Sequence, residues 1–218
     1  MNYVQLNKGA EKRLKQGHLW IYSNEIDVRK TPLKSFEPGE QVQIKNHAEK
    51  IIGTAFMSPT SLIAGRVISR DPSQLMDQSL ITHRLNVALS LRQKVFSEPS
   101  YRLVFGDSDR LPGLVIDRFD DVFVVQISSV GMEVLKNEIL AALEKVCRPK
   151  HVIFKNNGKM RGPEDLASYT KTAKNEAKTE AELTNNGVKN IAPIILTTIY
   201  VRLLGIYCAF IIIFCVHI

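Results

Sequence analysis

Short apolar runs separated by turn residues dominate the first seventy positions of the chain. Gln41-Val42-Gln43-Ile44-Lys45 alternates polar and apolar residues, which puts one face of a strand against a core. Residues 18–22 are rich in aromatic and β-branched side chains and suggest a strand, and residues 3–6, 51–57 and 62–68 read as further short strands. Turn residues separate them: Pro38-Gly39, Asn46-His47 and Ser58-Pro59. Lys8 to Gln16 reads as a short basic helix or turn, stopped by Gly17. Five strands in about seventy residues predict a small β-barrel, because closure hides the sheet edges.

Asp71-Pro72-Ser73 breaks the pattern and marks a domain boundary near residue 75. From Gln78 to Phe96, Ile81, Leu85, Ala88, Leu89 and Val95 recur at helical spacing. Three strand-like segments follow at 101–105, 114–116 and 122–127, then an amphipathic helix over 132–146 and a strand at 151–155. That order predicts an α+β fold for residues 76–157. Residues 158–190 are polar with little periodicity and read as a linker, and residues 191–218 form an apolar tail.

Charge changes this picture more than composition does. Hydrophobic content of 44% is ordinary for a globular protein, but the net charge of +7 favours an acidic partner. Residues 1–75 hold eleven cations against seven carboxylates, and residues 145–161 hold six cations and no acid. Lys8, Lys12, Arg13 and Lys15 could neutralise phosphates, as could Lys150 and Lys155, with His18 as a further RNA contact. Each can equally belong to a solvated face. Trp20, the one tryptophan, could stack a base or fill a core. The cysteines, Cys147, Cys208 and Cys215, suit neither a disulfide framework nor a zinc site, and a reducing cytosol fits them. The N-terminus shows no signal-peptide pattern.

One string carries a specific resemblance. Residues 106–118 read Gly-Asp-Ser-Asp-Arg-Leu-Pro-Gly-Leu-Val-Ile-Asp-Arg, physically an acidic turn between two strands. This string, through Gly106, Ser108, Asp109, Leu111, Pro112, Gly113, Asp117 and Arg118, resembles the signature of class I SAM-dependent methyltransferases acting on cytosine C5 of large-subunit ribosomal RNA. Leu6, Lys8 and Gly9 with residues 18–23 are similar to the opening of that family's PUA domain, and residues 56–61 with Arg66-Val67 to its close. Arg84-Leu85 and Leu91-Arg92 match the helix after it, and residues 183–188 resemble the strand that leads into the catalytic domain. The resemblance implies a PUA barrel, a central α+β domain and a Rossmann-like catalytic domain, the first two engaging ribosomal RNA and the third binding SAM.

The third part is not visible in the sequence. Gly158 and Gly162 flank Lys159-Met160-Arg161 rather than a Gly-rich strand-to-helix turn, and no cysteine has the setting of a C5-attacking thiolate. Asp107, Asp109 and Asp117 lack a partner His or Cys for acid–base or metal chemistry. The expectation is therefore an α+β chain with a PUA-like barrel, a small α+β domain and no Rossmann-like methyltransferase domain. No catalytic, cofactor or metal residue is assigned, and the chain is read as an RNA-binding portion truncated before catalysis. Residues 203–218 carry no formal charge, so a membrane-tethered adaptor is the competing reading; a shifted reading frame or a buried segment would also account for the tail. Oligomeric state is left open.

Overall fold

The computed structural model describes residues 2–175, and beyond them the backbone of two strands at Glu180–Asn185 and Val188–Pro193. The expected tail lies outside the described residues after Pro193. Among the described residues no helix is long and apolar enough to cross a membrane.

The first unit runs β1 (Tyr3–Gln5), α1 (Glu11–Lys15), β2 (Trp20–Ile21), β3 (Gln41–Lys45), β4 (Ile51–Met57) and β5 (Gly65–Ser69). The strands form one sheet in the order β1-β3-β4-β5-β2, parallel at β1–β3 and antiparallel elsewhere. Its two edge strands are drawn together by an isolated bridge between Leu6 and Ile26, so the sheet curls around its own core. The alternation in β3 is realised as read: Val42 and Ile44 are buried while Gln41, Gln43 and Lys45 are half-buried. Val4, Leu6, Leu14, Ile21 and Met57 join them, and Leu14 pins α1 to the unit.

The second unit runs α2 (Gln78–Val95), β6 (Ser100–Phe105), β7 (Leu114–Phe119), β8 (Val122–Ile127), α3 (Val130–Val134), α4 (Lys136–Cys147), β9 (His151–Asn156) and β10 (Tyr169–Lys174). The Asp77 carboxylate caps α2 by accepting from the Leu80 amide at 2.8 Å. Arg148 in the left-handed region and Pro149 end α4. The sheet order is β10-β9-β8-β7-β6, antiparallel except for β8 and β9. Strands β11 (Glu180–Asn185) and β12 (Val188–Pro193) pair antiparallel with each other.

Three expectations need correction here. The helix expected over 132–146 is two helices, broken at Leu135. The stretch read as a polar linker holds a 3-10 turn at Lys159–Glu164 and the edge strand β10. Strand β10 is held by its ladder to β9 and buries none of its side chains fully, so no apolar period announces it. Third, the expected lack of any Rossmann-like element does not hold. The parallel β8–α3–α4–β9 crossover is the βαβ unit from which such sheets are built. The strand–helix–strand order is legible over residues 122–155, but its strand-to-helix turn, Ser128-Ser129, lacks the Gly-rich spelling that marks a Rossmann-like crossover.

The two units share a core. Phe56 of β4 is buried in the apolar cluster of the second unit, and Gly131 of α3 lies so close that an added Cβ would overlap its ring. Glycine at 131 is therefore set by the close approach of the two units.

Candidate nucleic-acid interface

Helix α1 and strand β2 bring most of the expected RNA-contacting residues of the first unit to one edge. Lys8, Lys12, Lys15 and His18 are all exposed there, within eleven positions of one another. Arg13 is used differently. Its guanidinium donates to Glu25 at 2.7 Å and lies 5.0 Å from the centroid of the Tyr22 ring. The contacts continue inward as a chain: Tyr22 meets Trp20 edge-on at 6.4 Å, and Arg66 lies 5.9 Å from the Trp20 ring centroid. Trp20 does not fill the core. It is 37% exposed, and its indole N–H donates to the Asp107 carboxylate of the second unit at 2.7 Å.

Lys150 and Lys155 belong to the second unit, Lys150 just before β9 and Lys155 on it. Lys150 donates to Asp121 at 2.6 Å, and that hydrogen bond together with the carboxylate's charge raises its pKa. Lys155 is half-buried, and burial lowers its pKa despite the opposing charge of Asp117. The structure thus gathers the first unit's cations and places these two on the second unit.

The signature string forms a 3-10 turn at Gly106–Asp109 followed by β7. Asp109 accepts from both terminal nitrogens of Arg92 in α2 at 2.7 Å and from the Phe105 amide at 2.6 Å. Asp117 is paired in the same two-pronged way by Arg102 across the hairpin, at 2.8 and 3.1 Å. Leu111 and Pro112 are buried. Gly113 has φ +80° and faces Ser129 so closely that no Cβ would fit. Arg118 donates to the Tyr101 hydroxyl and the Asp120 carbonyl, while Ser108 is exposed. Asp109 and Asp117 are therefore tied to guanidinium groups within the fold, an arrangement that locks α2 to the β6–β7 hairpin.

A second set of charges had no sequence signal. Glu164, in the turn after β9, is buried and accepts from Arg66 at 2.8 Å, from the Ser58 hydroxyl at 2.7 Å and from the Val130 amide at 3.2 Å. Arg161, equally buried, donates to the carbonyls of Ile127 and Ala167 and to Glu133. Burial pushes the Glu133 pKa up, but the hydrogen bonds from Arg161 and Tyr169 outweigh it and the net shift is downward. Glu164 and Arg66 are 98 positions apart, which no local pattern can announce. Among the described residues no cluster of His, Cys, Asp and Glu could hold a metal ion.

Comparison with known proteins bears on this geometry. Residues 4–70 match the PUA-like domain family. The first unit is a PUA-like domain. Across a longer stretch the chain is homologous to proteins named ribosomal RNA large subunit methyltransferase I. It is 36% identical over 168 residues to that of Pseudoalteromonas translucida, covering 75% of this chain and 41% of the relative. It is 34% identical over 191 residues to that of Aliivibrio fischeri, covering 85% and 47%. The chain thus spans somewhat under half the length of these curated relatives. Among solved structures, a protein from Streptococcus mutans assigned as a SAM-dependent methyltransferase superposes with a TM-score of 0.70 at 20% identity, over 88% of this chain and 48% of that one. A chain assigned as a methyltransferase and solved in complex with SAH gives 0.71 at 21% identity, with the same coverage.

These likenesses overturn the expected absence of a Rossmann-like methyltransferase fold: the solved chains that share this fold are assigned as methyltransferases. The reading of a chain cut short before catalysis gains no support from them. For the cofactor itself, the turn after β8 is the place to test, since nucleotide cofactors sit at such strand-to-helix turns. Here the Val130 amide is taken by Glu164, Ser128 and Ser129 donate to the carbonyls of Gly113 and Pro112, and Phe56 covers Gly131. This turn is filled by protein and does not fit SAM.

Proposed function

We propose that the chain serves an rRNA methyltransferase-type protein by holding RNA at the α1–β2 edge. Lys8, Lys12, Lys15 and His18 meet the phosphates, and the Trp20–Tyr22 pair meets the bases. The observation that carries this reading is the juxtaposition of exposed cations on α1 with a half-exposed aromatic pair braced by Arg13 and Arg66. Phosphate contacts supply affinity without sequence reading, and aromatic faces stack unpaired bases. The PUA-like match over residues 4–70 and the names of the relatives support RNA as the partner. On this reading cytosine C5 of large-subunit RNA is the substrate class, SAM the methyl donor of the whole relatives, and the cytosol the setting.

The test is the salt dependence of binding to a single-stranded fragment of large-subunit ribosomal RNA. Each phosphate contact contributes a slope of about −0.7 in log K against log salt on single strands. Replacing Lys8, Lys12 and Lys15 together by Gln is expected to flatten that slope by about 2. Binding that is insensitive to salt, or a slope unchanged in the triple variant, overturns the reading.

A further inference from the structure

A cleft of about 280 Å³ opens between the PUA-like unit and the Lys159–Glu164 turn. Tyr22, Leu62, Met160 and Pro163 give it apolar walls, and the buried Arg66–Glu164 pair lies at its base. Leu62 is 79% exposed and Met160 60%, an apolar rim that none of the described residues covers. We propose that this cleft is a nucleobase subsite, taking one unstacked base from the RNA that α1 holds; the proposal rests on the RNA-binding reading above and adds the place where a base is read.

Four features favour a base over another occupant. The volume lies just under the roughly 300–1,000 Å³ of clefts for drug-sized ligands, which suits one ring system and excludes a folded segment of protein. Apolar walls suit the flat faces of a base, and stacking on an aromatic ring serves every base alike. Charge is complementary: Arg13 braces Tyr22 from the α1 side, and the exposed Lys159 stands beside Met160 on the opposite lip, so a phosphate chain has cations on both sides. Lastly, the buried Arg66 Nε has no hydrogen-bond partner, although the group's other end is held by Glu164. A buried guanidinium donor left without an acceptor is costly, and a base presents ring-nitrogen and carbonyl acceptors that could relieve it after a small shift of the lip.

Trp20, the only tryptophan, touches Tyr22 edge-on and so reports on the cleft. The full chain is titrated with a short single-stranded oligoribonucleotide, and with the same oligonucleotide carrying one abasic position, while Trp20 fluorescence is followed. Omitting the base at the subsite is expected to weaken binding roughly five- to 150-fold. The Leu62→Ala/Met160→Ala variant trims only exposed side chains and is expected to erase most of that difference; Leu91→Ala, exposed on α2, is expected to keep it. If intact and abasic strands bind wild type equally, or if the double variant discriminates as wild type does, the subsite is overturned while RNA binding stands. Loss of salt-dependent binding by both strands overturns the RNA reading and the subsite with it.

Discussion

Asp109 shows what the signature string does physically. Its carboxylate is fully engaged by Arg92 and the Phe105 amide, and both charged side chains are more than nine-tenths buried. Removing one partner of a buried pair leaves the other charged and without a counter-ion, which costs about 3–5 kcal/mol. Asp109→Ala is therefore expected to lower unfolding free energy by that amount in urea titrations, and Asp109→Ala with Arg92→Met to recover most of it. A loss under about 1 kcal/mol would mean the pair is not the lock. Cys147 belongs at the same scale. Burial pushes its thiol up to about 11, with Arg118 pulling only weakly the other way. At pH 8 iodoacetamide should label Cys147 far more slowly in the native chain than in urea, as read by peptide mass mapping, since the thiolate is the reactive form.

At the scale of elements, the crossover between β8 and β9 depends on Glu133. One carboxylate oxygen accepts from the Tyr169 hydroxyl at 2.7 Å and the other from Arg161 at 2.9 Å, tying α3 to β10 and to the Lys159–Glu164 turn. Because the folded pKa lies below the ordinary 4.5, this contribution is complete above about pH 4.5 and fades as pH falls through the folded value. Thermal midpoints measured from pH 6 to pH 3 should fall less steeply for Glu133→Gln than for wild type; parallel curves would assign the acid sensitivity elsewhere. These elements also show what the sequence carried. Strand β3 and helix α2 were legible because their buried residues recur at the period of the element, and β4 and β8 because they are short apolar runs bounded by turn residues. Strand β10 was not, since a polar edge strand is specified by its neighbour's backbone. The cations of α1 were legible as a cluster. The cleft was not, because its walls come from positions 22, 62, 160 and 163, and only the fold brings them together.

For the whole molecule, the question is whether the PUA-like unit and the second unit unfold as one. Their junction is built from Phe56 inserted into the second core, the Trp20–Asp107 hydrogen bond, and Glu164 binding Ser58 and Arg66 on one side and the Val130 amide on the other. Glu164 is the member whose loss leaves most behind it: a buried guanidinium, a hydroxyl and an amide all lose their acceptor. Glu164→Ala should then cost about 3–5 kcal/mol, concentrated at the junction rather than within either core. In wild type, Trp20 fluorescence and far-ultraviolet circular dichroism should report one coincident urea transition, because the indole sits across the junction. In Glu164→Ala the fluorescence transition should move to lower urea than the circular-dichroism transition, as the junction opens before the sheets melt. Glu164→Gln keeps the shape and part of the hydrogen bonding, and should fall between the two. Coincident transitions in all three proteins would show that Phe56 and the apolar contact alone couple the units. The cleft floored by Arg66 and Glu164 would then owe its shape to packing rather than to the ion pair.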